Sequence, residues 1–563
     1  MHQKWQEGDT DRVKKSRVDY DNYISEHLKR RVFVDFEVLM KHVMHVPDDW
    51  KTRWGPAIEA VKVDPEFQKH HEEYCEQCDK TSAHEKSLYG PLTNTANAVL
   101  DVLSRSTFDG ISPKTPQYYR INDPKRLRGG AFSKFSLSPD IVLLHKDLQP
   151  SEKGGLHWIN PLHILEISKA LCNGRRMHRL VIDGEHATCS FCDWTSPIWA
   201  ADVDPILNHA PPRKRLQFSK NKSIPLTTSK TTSGSSNSRK RPAGGLFATD
   251  QPAKRLRMIS GSGRALRNES ESIQPSEEDE DDFTTRPEGQ HRDDPTVQVC
   301  RYIFEMLSVP LLRSHATVSL INRDRLQLYH ANRSIVLVSS AINFSGGDGL
   351  NKFIALIIAL NCLSLEQNGI LDTLAKKSVE LVKNSQIPAD NKVVQRGNQL
   401  ELPGSRPGES FTVNLGNVIA RDPAVIGRST VVLEATSEKW PRDKLVVKIS
   451  WPDSDRVPET EFLKRAGEEA GRTAGGWATK HLPRVFYATD VVFDENSAPE
   501  SVSRLFEDAR FAHGGFVYER RTLRIIIQER LYPLRSLTNV RDIGQVVLDV
   551  ACSTFSSCFS ITI

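Results

Sequence analysis

The sequence predicts an α+β protein in which an N-terminal α/β domain, broken by a disordered insert, precedes a second strand-rich lobe. Three observations predict it. Short apolar runs of strand type alternate with stretches of helical period over residues 20–205 and again over 295–395. Between them, from about 211 to 294, Ser, Thr, Gly, Pro and charge dominate, and apolar residues are too sparse to offset the entropy of ordering. After a polar boundary at 388–409, strand-like sequence returns over 411–550.

The chain accordingly reads as a flexible tail (1–19), an N-terminal α/β region (20–205) and a basic then acidic linker (206–294). An α/β module (295–395) that packs with 20–205, the second lobe (411–550) and an atypical tail (551–563) follow. Helical spacing runs from Tyr23 to His42. Strands are expected at Ile141–Leu144, Ile164–Ile167 and Leu180–Ile182. After a helix from Val297 to Leu312 come strands at Thr317–Leu320, Leu326–Tyr329 and Ile335–Val338, with Asn322–Asp324 and Asn332–Ser334 as turns. An apolar helix follows at Leu350–Leu365.

Composition narrows the function classes. With 38 % hydrophobic and 26 % charged residues among 563, the chain suits globular domains diluted by polar linker. Nine cysteines in such a length make no disulfide framework, so a reducing compartment is expected. The apolar stretch Phe353–Leu363 contains Asn361 and falls short of the roughly 20 residues a bilayer needs, so it reads as a buried helix and no membrane partner is expected. Met1–Lys15 shows no secretory leader.

The insert divides by sign. Residues 211–268 hold fourteen Lys/Arg against one acid, and 269–294 hold eleven Asp/Glu against two Arg. Lys240-Arg241 and Lys254-Arg255-Leu256-Arg257, with Arg213-Lys214-Arg215 ahead of them, suit a nuclear import receptor and a nuclear or nucleocytoplasmic location. A solubilising linker is the plain alternative. Nucleic acid is the weaker reading because no stacking aromatics accompany the basic residues. Ser270, Ser272 and Ser276 among the acids fit acceptors for an acid-directed kinase or a bland acidic linker.

Two further patterns have metal-site form. Cys75-Glu-Gln-Cys78 and Cys189-Ser-Phe-Cys192, with His70, His71 and His186 near, fit either a tetrahedral zinc site or plain thiols, and the pairs lie over a hundred residues apart. Pro139-Asp140 followed by Glu166-Ile167-Ser168 resembles the Pro-Asp…Glu-x-Lys site of restriction-type nucleases. There the acids hold Mg²⁺ and the lysine aids the attacking water. Strand alternation puts Ser168 in the lysine place and turns Lys169 away, so the reading is a nuclease-like fold with degenerate chemistry.

The second lobe opens with Phe411–Val418 and Val425-Ile-Gly-Arg-Ser-Thr-Val-Val432. A turn at Lys439-Trp440-Pro441 leads to Leu445-Val-Val-Lys448, a helix from Arg456 to Ala470, and the buried run Leu523–Ile527 ending in Gln528-Glu529-Arg530-Leu531. This order resembles the small, N-terminal lobe of a protein kinase. The wording Gly-Arg-Ser-Thr, Val-Val-Lys-Ile-Ser-Trp-Pro, Arg456-Val-Pro-Glu-Thr-Glu and His481-Leu-Pro, with Arg323–Ser339 upstream, is similar to the fungal-type protein kinases over roughly residues 300–550.

The resemblance implies a five-stranded lobe with one main helix and Ser/Thr-type phosphoryl transfer from ATP and Mg²⁺ to a protein substrate. It implies that Lys448 holds the α and β phosphates, that Glu459 or Glu461 pairs with it, and that Gly427 and Val432 lie over the nucleotide. Backbone groups from Glu529 to Leu531 would meet adenine. Of the family's three loop glycines only Gly427 is kept, and Val425 and Thr430 fill the other places. No His-Arg-Asp-x-x-x-x-Asn or Asp-Phe-Gly follows the hinge run, and the tail after Val550 lacks helical pattern and charge. The expectation is a catalytically incomplete kinase with no catalytic base, and the alternative is a nuclear binding module that does no chemistry. His291-Arg292-Asp293 spells the catalytic triplet by chance, ahead of the loop and without the asparagine.

Overall fold

The computed structural model describes residues 17–28, 31–80, 84–127, 137–148, 156–168, 176–183, 186–193, 295–308, 313–371, 399–404, 406–472, 479, 482–507, 518–532, 539 and 544. The chain divides into two compact units, residues 1–207 with 291–563, and residues 208–290, and all described residues lie in the first. The basic clusters at 213–215, 240–241 and 254–257, the serines at 270–276, His291–Asp293, Lys169 and the tail 551–563 lie outside the described residues, as do the side chains of Cys189, Cys192 and His186.

The N-terminal part is built on one sheet of ten strands. Its elements begin with α1 (Arg17–Leu28), β1 (Val32–Val34), α2 (Phe36–Met44), α3 (Trp50–Arg53), α4 (Gly55–Lys62), α5 (Pro65–Asp79) and α6 (Tyr89–Arg105). They continue with β2 (Gln117–Ile121), β3 (Ile141–His145), β4 (His163–Ile167), β5 (Arg176–Asp183), β6 (His186–Asp193) and α7 (Pro295–Ser308). β7 (His315–Asn322), β8 (Arg325–Asn332), β9 (Val336–Ser339), β10 (Ile342–Asn343) and α8 (Gly347–Cys362) complete the set. The strand order is β2-β3-β4-β7-β8-β9-β1-β5-β6, with β10 paired to β8. β4 and β7 run parallel although more than a hundred residues separate them, so the segments before and after the insert share one sheet.

β3, β4 and β7 are buried at every position, inward and outward alike. A sheet covered on both faces tolerates such continuous apolar runs, and their β-branched and aliphatic side chains supply the core. α1 packs on α7, while α2, α4 and α6 gather on α8, which buries Phe353–Asn361. No helix among the described residues is long and apolar enough to cross a membrane. Cys75 and Cys78 are free thiols on α5, with Cys75 Sγ 3.7 Å from His71 Nε2.

One expectation fails here. The helical spacing of Tyr23–His42 is not one helix, because Val32-Phe33-Val34 leaves it to form β1 between β9 and β5, parallel to both. The reason is burial on both sides: Val32, Phe33 and Val34 are at most 4 % exposed, and pairing two ladders satisfies their backbone groups.

The C-terminal part is a second sheet. β11 (Gln399–Pro403), β12 (Ser410–Asp422), β13 (Thr430–Thr436) and β14 (Leu445–Ser450) are followed by α9 (Glu459–Arg472), β15 (Val485–Val491), α10 (Ala498–Glu507) and β16 (Leu523–Glu529). Their order is β11-β12-β13-β14-β16-β15. Two differences from the expected five strands and one helix stand out. β11 arises inside the polar boundary stretch 388–409, because Leu400 and Leu402 alternate with polar neighbours and bury completely in the sheet's core. α10 is an added helix between β15 and β16.

Candidate functional site

The residues of interest sit on one face of the second sheet. Val432 pairs with Lys448, and Lys448 with Ile526, across β13, β14 and β16. Their chain neighbours Val431, Leu433, Val447, Ile449, Ile525 and Ile527 point the other way, into the lobe's core. Alternation therefore forces Lys448 onto the face where α9 lies. Its side chain is 20 % exposed and pairs with Glu459 at the first turn of α9. Glu461, two residues on, turns aside and takes Arg465 Nε at 2.9 Å. Of the two glutamates left open by the sequence, geometry brings Glu459 to Lys448.

The hinge run leaves β16 with its first donors engaged. Glu529 N–H donates to the Arg484 carbonyl and Arg530 N–H to the Lys444 carbonyl, both at 2.8 Å. Leu531 follows, 62 % exposed, and among the described residues no hydrogen bond falls on its backbone. Arg530 also reaches Glu434 at 2.6 Å, which fixes the strand end against β13.

The loop from Pro423 to Ser429, between β12 and β13, is held by the N-terminal sheet. Tyr23 Oη donates to the Pro423 carbonyl at 2.9 Å. Arg333 Nη1 donates to the Ala424 carbonyl, and Gly427 N–H donates to the Arg333 carbonyl at 2.9 Å. Val425 is 1 % exposed and belongs to the N-terminal core, with Ile426 packed beside it. Here is the physical reason for the missing glycine: the side chain at 425 is an anchor. Gly427 is needed for its φ of +133°, since a Cβ there would meet only Ala424 Cβ at 3.7 Å. α10 makes a second tie: Val502 and Phe506 enter the same core, and Ser501 Oγ lies 2.9 Å from His42 Nδ1.

The nucleotide implied by the resemblance fits this geometry at one end. The Lys448–Glu459 pair is placed on an accessible face beside an exposed hinge, whereas the loop's Gly427 N–H is already bonded to Arg333. For Mg²⁺, no group of three or more His, Cys, Asp or Glu side chains among the described residues could hold a metal ion.

The other acidic pair is brought together in the N-terminal sheet. Asp140, just before β3, accepts from Tyr89 Oη at 2.6 Å and from Ile167 N–H at 2.7 Å. Glu166 on β4 accepts from Asp140 N–H at 3.4 Å and from Gln298 on α7. Burial pushes the Asp140 carboxyl up to about 7. Burial, with the Asp140 charge beside it, holds Glu166 well above the usual carboxylate range. Sequence reading found the acids but not Tyr89 or Gln298, whose spacing on their helices carries no signal of its own.

Residues 281–501 match the family model of the fungal protein kinase. The match covers less than half of the chain and runs through both α8 and the lobe's first strands, so it spans the seam between the two sheets. No curated protein and no solved structure matches the chain.

Proposed function

We propose that the second sheet is the nucleotide-binding lobe of a Ser/Thr-type protein kinase and takes ATP on the face that carries Lys448. One observation carries the reading: a lysine on the strand next to the hinge strand pairs with a glutamate in the first turn of the following helix. Lys448 binds the α and β phosphates, Glu459 holds its ammonium in place, Val432 covers the base, and the backbone at Leu531 meets adenine. The chemistry that ATP and Mg²⁺ supply is phosphoryl transfer to a protein hydroxyl; this chain's residues bind and orient. A thermal-shift titration of the full chain with ATP and Mg²⁺ tests it. A saturable rise that Lys448→Ala removes supports the reading, and an identical rise in both proteins sinks it.

A second reading concerns the N-terminal sheet, and it is supported by the meeting of Asp140, just before β3, and Glu166 on the adjacent β4. We propose a nuclease-like scaffold whose acidic pair is structural, because Tyr89, Ile167 and Gln298 occupy its oxygens and Ser168 stands where a lysine would act. Mn²⁺-dependent DNA cleavage that Asp140→Ala abolishes would overturn the structural role. We also propose nuclear import through Lys240, Arg241, Lys254, Arg255 and Arg257, on the sequence pattern alone. A fluorescent fusion that stays nuclear when all five become Ala counts against it.

A further inference from the structure

β14 runs from Leu445, beside the hinge run, to Ser450 at its far end. Lys448 lies between, and three further residues at about 3.3 Å each place Trp451 roughly 10 Å beyond it. There the Trp451 N–H donates to the Arg428 carbonyl at 2.6 Å. Ser429 follows with a left-handed φ of +39°, which breaks the strand alternation ahead of β13 and leaves Arg428 against the end of β14. Arg456 approaches on the chain that enters α9, three residues before Glu459.

Cations gather at this end, and only some of them are spent. The Glu459 carboxylate acts on Arg428 and Arg524 as well as on Lys448, and the Arg456 charge acts on Arg428. Lys448 pairs with Glu459. Arg524, on the same face of β16, holds Asp490 through two bonds of 2.6 and 2.8 Å. Arg428 and Arg456 are exposed, and neither is in an ion pair with a described residue. Asp422, the remaining acid near Arg428, is exposed and pairs with neither. Burial, and after it the Arg456 charge, lowers the Arg428 guanidinium from its ordinary range even though Glu459 pulls the other way.

The other means of holding phosphate are taken or missing here. The Gly427 N–H is bonded to Arg333, and no group of His, Cys, Asp or Glu among the described residues could hold a metal ion. We propose that Arg428 and Arg456 hold the outer phosphates of the nucleotide beyond Lys448, so that this lobe binds ATP without a divalent cation. The inference rests on the nucleotide reading of this face and adds to it what neutralises the phosphates. Adenine at Leu531 and the inner phosphates at Lys448 leave the outer ones at the Trp451 end of β14, where the two guanidiniums stand. Their planar N–H forks match phosphate oxygens in pairs and replace the loop amides.

Isothermal titration of the full chain with ATP, once in EDTA and once in excess Mg²⁺, tests this. Binding in EDTA should be as tight as in Mg²⁺ or tighter, because Mg²⁺ occupies phosphate oxygens that the guanidiniums take. Arg428→Gln and Arg456→Gln should each weaken ATP in EDTA by about tenfold or more and leave AMP, which ends at the phosphate beside Lys448, within about twofold of the parent. Both side chains are exposed, so the melting temperatures without ligand should match the parent's. A merely structural role would move AMP and ATP together. Suppose ATP binding is lost in Lys448→Ala but needs Mg²⁺, or neither arginine variant weakens ATP relative to AMP. This inference then fails and the nucleotide reading stands. Absence of ATP binding under both conditions, or binding that Lys448→Ala leaves untouched, would sink the nucleotide reading and this inference with it.

Discussion

Gly427 donates its backbone N–H to the carbonyl oxygen of Arg333 at 2.9 Å, tying the hairpin loop of the second sheet to the turn between β8 and β9 of the first. A loop N–H used in this way is not available to a phosphate. The same stretch carries Val425 into the N-terminal core, so the loop's position depends on packing in a sheet that begins some 400 residues earlier in the chain. Docking of the loop and the nucleotide site proposed for the Lys448 face are thus linked through the stretch from Pro423 to Ser429.

Val425→Ala tests the docking. Removing two buried methyl groups should cost about 2 kcal/mol, from lost transfer energy and the cavity left behind. Amide exchange at Gly427 should quicken while that of Val447 in β14 stays slow. Unchanged exchange at Gly427 would mean that its bond to Arg333 does not rely on the Val425 anchor.

Glu459→Gln and Glu461→Gln should separate sharply. Only Glu459 pairs with Lys448, so its loss should weaken nucleotide by about tenfold, while Glu461→Gln, which breaks an exposed pair with Arg465, should change affinity little. Isothermal titration with a nonhydrolysable ATP analogue reads the difference. Equal effects of the two substitutions would remove the special place given to Glu459.

Acid should loosen the N-terminal sheet. Burial lowers His163 and His315 to about 3, and His330 well below its ordinary value. A histidine whose folded pKa is depressed binds its proton more readily unfolded, so stability is full above its ordinary value of about 6.5 and falls with pH from there toward 3. Melting temperature measured downward from about pH 7 should fall steadily. His330→Gln, which cannot titrate, should reduce the slope of that fall.

How much of this could be read from residues alone varies by element. Lys448 was legible because it follows the apolar run Leu445-Val446-Val447, although the strand runs on to Ser450, and the helix after it carries acids in its first turn. The choice between Glu459 and Glu461 was not, since two residues of helix turn them roughly half a turn apart and only the docked helix fixes which faces the strand. β11 was hidden because Leu400 and Leu402 are two apolar residues in a polar stretch, too few to signal a strand before their partners on β12 are known. Arg333 read as turn material, and nothing local distinguishes a surface arginine from one buried by another sheet. Val425 looked like a defect in a glycine pattern until the core that receives it was visible.

Asp140 and Glu166 set the opposite limit on pH. Both carboxyls are raised in the folded protein, Asp140 to about 7, so the folded state binds protons that the unfolded chain releases near 4. Their contribution is full below the ordinary carboxylate range and is lost as pH rises through about 7. Glu166→Gln keeps the shape and supplies a neutral group to Gln298 and to Asp140 N–H, while removing the charge next to Asp140. It should therefore flatten the decline in melting temperature between about pH 6 and 8 and, at the alkaline end, leave the variant more stable than the parent by on the order of 1–2 kcal/mol. With the histidines acting from the acid side, the parent should be most stable between about pH 6.5 and 7. A parent curve still rising at pH 8, with Glu166→Gln parallel to it, would show that the pair is ionised in the folded protein and is held by something other than shared protons.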